Sequence, residues 1–359
     1  MSVTLEEIAK ATGFSVPTVS RALTNPDYPL SRATRQRINE VAREMGYMPN
    51  LTARSLRTDQ SNTIGIIVDD ILSPFAPRIL RGIQDVLKQS DYLNLIINSD
   101  WYPEVEQEAI STFLSRPVDG IIFVENAHLQ DNDAVRRSRK PFVFVHRFIG
   151  AKVTNSIVPD NDDGVILAIR HLISLGHRRI AFINGPDGYP VAQQRLAAYK
   201  AELSAQNLEF DPALVDKGDW EYEGGYKAAQ TILKSSPLPT AIFVANDVMA
   251  LGAIDAIQER GLSVPQNIAI VGYDDRDFAR IVHPKITTVS IPSYEMGQLA
   301  AEFLLKQIKD GRQEMAEIKV KGRLIIRETC GADPSQRTKD EDPVGTASRR
   351  SALHKNSDG

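Results

Sequence analysis

The 359-residue chain has one cysteine, Cys330, so no disulfide can close within it and no thiolate cluster can hold zinc. A single thiol also suits a reducing compartment. No run of 18 apolar residues occurs, which excludes a membrane-spanning helix on length. The start, Met-Ser-Val-Thr-Leu-Glu-Glu, has neither a basic stretch nor a long apolar one, so it does not read as a secretory signal. A cytoplasmic protein is the expectation. Enzyme signatures are missing as well: no phosphate-binding glycine loop, no Gly-x-Ser-x-Gly elbow, no His-Glu-x-x-His helix. Gly224-Gly225 lacks the spacing of a dinucleotide fingerprint and reads as a helix start. His171 and His177 are six residues apart, off a common helix face. No catalytic residue, metal or cofactor is therefore expected.

Charge of one sign is also scarce. The net charge is −4, so no global basicity points to nucleic acid. The distribution is uneven, however. Residues 1–60 carry eight basic and six acidic side chains, net +2, which leaves −6 for the remainder. Such a split fits a small DNA-binding head on an acidic body. A solvated mixed-charge surface accounts for it equally well.

The first 46 residues carry strong local signals. Thr4 followed by Glu7 is a capping box ahead of Leu5, Ile8 and Ala9. Gly13 ends that helix. Ser15 caps a second, in which Pro17 is tolerated in the first turn, and Asn25-Pro26 stops it. Ser31 caps a third, with Ile38, Val41, Ala42 and Met45 on its apolar face and Gly46 behind it. Two short helices across a glycine turn, then a third, describe a helix-turn-helix. The second helix presents Pro17, Thr18, Ser20 and Arg21, hydroxyls for phosphate oxygens and an arginine for a guanine edge. A generic small helical bundle shares much of this pattern. Residues 47–61 include Asn50, Leu51, Ala53 and Leu56, enough for two helical turns but too few for a stable isolated helix. They read either as a segment that folds against DNA or a partner, or as a polar linker.

From Asn62 onward, apolar runs of strand length alternate with amphipathic stretches. The runs are 64–68, 93–97, 120–124, 142–145, 180–183, 241–244 and 268–271. Continuous apolar runs between helices indicate parallel strands buried on both faces. The fold class is α/β: an all-α head plus a doubly wound body long enough for two sheets. Ligands of such folds bind beyond the carboxyl ends of the strands. Here those ends carry aromatics, carboxylates, amides and arginine, which suit a polyhydroxylated ligand.

Head, hinge and body together resemble the LacI (lactose repressor) family of bacterial transcription regulators. The likeness rests on Thr4-Leu5-Glu6-Glu7-Ile8-Ala9, on residues 15–23, on Tyr47-Met48-Pro49-Asn50, on Gly82-Ile83 and on Val118-Asp119-Gly120-Ile121-Ile122. It continues through residues 171–177, Ala245-Asn246-Asp247 and Val271-Gly272-Tyr273-Asp274-Asp275. It runs from about Val3 to about Thr329, and the body is similar to periplasmic sugar-binding proteins. The resemblance implies that Val16, Pro17 and Arg21 read bases. It implies that Thr4, Ser15, Thr18, Ser20, Ser31, Thr34 and Asn50 touch the DNA backbone. Leu56, with Ala53 one turn before it, falls where paired hinge helices wedge the minor groove. Arg195, Trp220, Asn246 and Asp274 fall at effector positions, with Phe75, Trp101 and Arg147 as further pocket candidates. The family often has Asp-Arg where this chain has His146-Arg147, so the motif's acid is lost. The bland alternatives are a packed loop aromatic for Trp220, a surface ion pair for Arg195, a helix cap for Asn246 and turn formation for Asp274.

The expected organisation is a head at 1–46, a hinge at 47–61, a body at 62–333 and a disordered tail at 334–359. Within the body, about 62–159 and 292–329 form one subdomain and about 160–291 the other. No leucine heptad follows, which favours a dimer over a tetramer. The partners implied are a pseudo-palindromic double-stranded DNA operator and a small-molecule effector, a sugar, with no membrane. A response to a protein partner or nucleobase, or a plain solute-binding protein, stays open.

Overall fold

The computed structural model describes residues 3–25, 27–48, 60–125, 140–146, 155–312 and 316–338. Contacts divide the chain into two units, Met1–Ser61 and Asn62–Gly359.

In the first unit, α1 (Leu5–Thr12) opens on the capping box, with Thr4 and Glu7 satisfying each other's backbone. Gly13 ends it at φ 75°, a left-handed turn that glycine enters without strain. Ser15 caps α2 (Val16–Thr24), and Ser31 caps α3 (Arg32–Glu44). Ile8, Ala9, Val19, Ala22, Ile38 and Ala42 form the core. Arg35 fastens the α2–α3 connection, donating to the carbonyls of Ala22, Asn25 and Tyr28 at 2.9, 2.9 and 2.7 Å.

The second unit begins with β1 (Thr63–Val68), α4 (Ala76–Gln89), β2 (Leu93–Asn98), α5 (Pro103–Ser115), β3 (Gly120–Val124), β4 (Phe142–Val145) and β5 (Ser156–Pro159). It continues with α6 (Asn161–Ser174), β6 (Ile180–Asn184), α7 (Pro190–Ala205), β7 (Val215–Lys217), α8 (Tyr222–Ile232), β8 (Ala241–Val244), α9 (Asp247–Glu259), β9 (Ala269–Asp274) and β10 (Thr287–Ser290). It closes with α10 (Ser293–Asp310), β11 (Glu317–Val320) and β12 (Arg323–Ile325).

Two six-stranded sheets result, in the orders β11-β5-β4-β3-β1-β2 and β12-β10-β9-β8-β6-β7. Every pairing is parallel except β10 with β12. Helix α10 lies against α4. The contact is so close that a Cβ on Gly82 would sit 2.1 Å from the Tyr294 carbonyl oxygen, and one on Gly297 equally near that of Ile79.

Three expectations need correction. The run 93–97 is not buried on both faces. As edge strand β2 it leaves Leu93, Leu95 and Ile96 exposed at 61, 40 and 41%. Residues 292–329 do not all rejoin the first sheet, because after β11 the chain crosses a third time and β12 pairs with β10. Nor is the segment from 334 free at its start. Thr338 donates to the Ile326 carbonyl and accepts from the Ile326 amide, both at 2.9 Å. Residues 339–359 lie outside the described residues.

Candidate functional site

The carboxyl ends of both sheets collect backbone strain. Eleven described non-glycine residues have positive φ, and seven of them follow or end strands: Asp100, Trp101, Glu125, His146, Trp220, Asp274 and Asp275. Asp and His enter this conformation readily; Trp101, Glu125 and Trp220 do so at greater cost, and such strain concentrates at functional sites.

At the first sheet, Asp69 is buried and accepts from the Ser99 hydroxyl at 2.8 Å. The Ser73 hydroxyl donates to Glu125 and accepts from the amide of Ala76, at the start of α4. Glu125 in turn meets His146 Nδ1 at 3.3 Å, and both side chains are 8% exposed. The His146 ring lies 4.5 Å from that of Phe75, centroid to centroid. A carboxylate thus orients an imidazole against an aromatic face.

At the second sheet, Arg195 projects from α7 and is buried. Its Nε and Nη2 donate to Asn161 Oδ1 at 3.1 and 3.0 Å, and Nη1 donates to the Ala245 carbonyl. The guanidinium sits 3.8 Å above the centroid of the Tyr273 ring, a cation–π contact. Asn246 caps α9 through Met249 N and donates to the Trp220 carbonyl at 2.8 Å. Trp220 lies over Gly185, where a Cβ would come within 2.1 Å of the indole, and meets the Tyr189 ring edge-on at 6.0 Å. Burial pushes the Asp274 carboxyl up to about 6, against the opposing pull of Arg195, Arg276 and His146. Burial also pushes Asp247 well up, with Asp274 beside it adding to the rise.

The two sheet ends face each other. His146 of the first acts electrostatically on Asp274 of the second. Arg78 on α4 pairs with Asp277, beyond β9, at 2.9 Å. Arg195, Trp220, Asn246 and Asp274 therefore come together as one wall, and Phe75 stands in the opposite one. Trp101 is 45% exposed beyond β2. Arg147 lies outside the described residues. Asn161 and Tyr189 touch Arg195 and Trp220 and were not singled out from sequence; Glu125 and His146 were read there only as strand-end residues, the position that Asp274 also holds.

In the head, Val16, Pro17 and Arg21 are exposed on one face of α2. Arg21 donates to the Tyr28 hydroxyl at 2.9 Å and lies over its ring. Thr4, Ser15 and Ser31 are helix caps, and the hydroxyls of Thr18 and Thr34 sit 2.8 Å from those of Ser15 and Ser31. Ser20 is half-buried. Capping and phosphate contact are compatible, since helix N-termini present amide donors to anions. Asn50, Ala53 and Leu56 fall outside the described residues.

A helix-turn-helix unit followed by two mostly parallel sheets with polar ends face to face defines a DNA-binding regulator with a ligand-binding body. Residues 4–50 match the family model for bacterial regulatory proteins of the lacI family, and 169–330 match that for a periplasmic binding protein-like domain. The HTH-type transcriptional repressor CytR of Escherichia coli (strain K12) is 33% identical over 335 residues, 93% of this chain and 98% of that protein. Catabolite control protein A of Priestia megaterium is 30% identical over 332 residues, 92% of this chain and 99% of that protein. Among solved structures, the Lac repressor dimer bound to operator and the anti-inducer ONPF superposes with TM-score 0.75 at 29% identity, covering 92% of this chain and all of that one. The CelR–cellobiose complex does so at 0.64 and 28%, covering 91% and 99%. The chain belongs to the LacI family of bacterial regulatory proteins.

Proposed function

We propose that this regulator is a dimeric repressor whose operator affinity is switched by a sugar bound between the two sheets. The carrying observation is the pairing of walls: Arg195, Trp220, Asn246 and Asp274 face Phe75, Glu125 and His146. Aromatic faces suit the apolar side of a sugar ring. Asp274 and Glu125 accept hydroxyl protons, while Arg195 and Asn246 donate. Two carboxylates against one arginine that is already hydrogen-bonded favour an uncharged ligand over a phosphorylated or acidic one. The ligand is bound rather than converted, so the protein is not an enzyme, and it acts on DNA in the cytoplasm.

Ligand between the sheets biases closure and with it the spacing of two heads. Val16, Pro17 and Arg21 read the major groove of each half-site, and Thr4, Ser15, Thr18, Ser20, Ser31, Thr34 and Asn50 hold phosphates. Ala53 and Leu56 enter the central minor groove. Pro17 carries no hydrogen-bonding side chain, so shape contributes to readout. The exposed apolar row Leu93, Leu95 and Ile96, with Ile71 and Leu72 beside it, is the surface for the second copy.

The test is a thermal-shift screen of the full chain against neutral sugars, sugar phosphates and nucleosides, followed by operator binding with each hit. A ligand at a hundredfold excess over Kd adds about 2.7 kcal/mol. A shift with one neutral sugar, lost in Asp274→Ala, is the expected result. A shift with a nucleoside or phosphate alone overturns the ligand class. No shift at all moves the switch to a protein partner.

A further inference from the structure

We propose that Asn161, Gln194 and Asp162 are positioning residues that tie Arg195 to strand β11, across the boundary between the two sheets, through one unbroken chain of hydrogen bonds. Arg195 and Gln194 are neighbours on α7, yet they turn to different tasks. Arg195 grips Asn161 Oδ1 with two N–H groups at 3.1 and 3.0 Å. The Asn161 amide donates onward to Gln194 Oε1 at 3.3 Å. Gln194 Nε2 donates to Asp162 Oδ2 at 3.1 Å. Lys319 Nζ closes the chain on that same oxygen at 3.2 Å. Lys319 lies on β11, the outer strand of the first sheet, whereas the other four residues belong to the first turn of α6 and to α7 of the second subdomain.

The placement gives the chain its meaning. β11 pairs with β5, and β5 leads directly into α6, so the last link sits at a crossing between subdomains. A ligand that draws on the Arg195 guanidinium competes with Asn161, and Asn161 responds by shifting the hold of its amide, which it shares between Gln194 at 3.3 Å and the Pro159 carbonyl at 3.5 Å. That shift changes how firmly Asp162 retains β11. Occupancy between the sheets is then felt at the edge of the first sheet without a contact between ligand and β11. This function rests on the reading of Arg195 as a ligand contact; the wiring itself does not.

The structure supplies an internal control. Lys321, two residues on, pairs with Asp163 at 2.9 Å. It makes the same kind of bridge from the same segment to the same helical turn, but Asp163 has no link to Gln194. The two lysines therefore separate a chain that reaches Arg195 from a bridge that merely braces the crossing.

The experiment measures amide hydrogen exchange in the full chain without ligand, following residues 192–198 around Arg195. Lys319→Met raises their exchange about threefold, as expected for loss of one half-exposed link in a network. Lys319→Arg restores it, and Lys321→Met leaves it at the wild-type rate. The Lys319→Met effect shrinks in high salt, because the wild-type bridge is itself screened there. In the reverse direction, Gln194→Leu raises exchange at 317–320. Unchanged exchange at 192–198 in Lys319→Met, or an equal rise in Lys321→Met, overturns the proposal. No ligand is used, so a failed ligand screen leaves this result standing, and a failed relay leaves the ligand site standing.

Discussion

Replacing Asp274 by Asn tests the electrostatics of the cleft directly. Burial raises this carboxyl from its ordinary 3.8 to about 6. Between those values the folded chain holds a proton that the unfolded chain has released. The stability associated with protonated Asp274 is thus complete below about pH 4 and lost as pH rises through about 6. At pH 7.5 the ionised carboxylate is a net cost of folding. At 1.36 kcal/mol for each tenfold change in proton affinity, the ceiling is about 3 kcal/mol. Asp274 is half-buried, and solvent screening reduces this to about 1–2 kcal/mol. Asn keeps the shape and removes the charge. It also removes the second cause of the rise at Asp247, after burial. For a body of this size, 1 kcal/mol moves Tm by about 2–4 °C, so Asp274→Asn melts about 2–8 °C higher at pH 7.5. At pH 4.5, between the unfolded and the folded values, the difference falls to about a third, and it vanishes only below about pH 4. The assay is thermal unfolding of both proteins at the two pH values. A lower Tm for the variant at pH 7.5, or a gain that does not depend on pH, refutes the reasoning. Gained stability with lost ligand response is the trade expected of a functional residue.

Arg21→Ala weakens specific operator binding by about 1–3 kcal/mol and spares non-specific binding; equal losses on random DNA would exclude base reading. Arg195→Ala leaves Asn161 and the Ala245 carbonyl short of partners and uncovers the Tyr273 ring. It costs about 2–4 kcal/mol in denaturant unfolding, and a cost below 1 kcal/mol removes its anchoring role. Ile8→Ala empties the centre of a six-residue head core and costs about 2–5 kcal/mol. It abolishes DNA binding while the thermal transition of the body stays in place, and shared loss of both transitions argues against two independent units. Leu95→Asp on the exposed face of β2 shifts the protein towards monomer in analytical ultracentrifugation, whereas an intact dimer places the second copy elsewhere.

The amino-acid sequence by itself determined the elements whose causes are local. Thr4 with Glu7, Ser15, Gly13 and Ser31 each act within four residues, so the head could be read helix by helix. The long runs 64–68, 120–124 and 241–244 are buried on both faces, and their composition alone announces it. Arg195, Trp220, Asn246 and Asp274 were legible as strand-end or helix-start positions matched to a family pattern. Other features are not local. β11 and β12 are short, with polar residues among the apolar ones, and are strands only because β5 and β10 offer them backbone partners. β2 has the composition of a central strand, and its place at the sheet edge leaves it exposed. The third crossing between subdomains follows from that pairing as well. Phe75, Glu125 and His146 are tens of residues apart in the chain, and Asp274 comes from a different sheet. Only the tertiary structure decided that they meet, because a contact between distant residues depends on how sheets stack and where the chain crosses. Neither capping nor hydrophobic period encodes that in a short window.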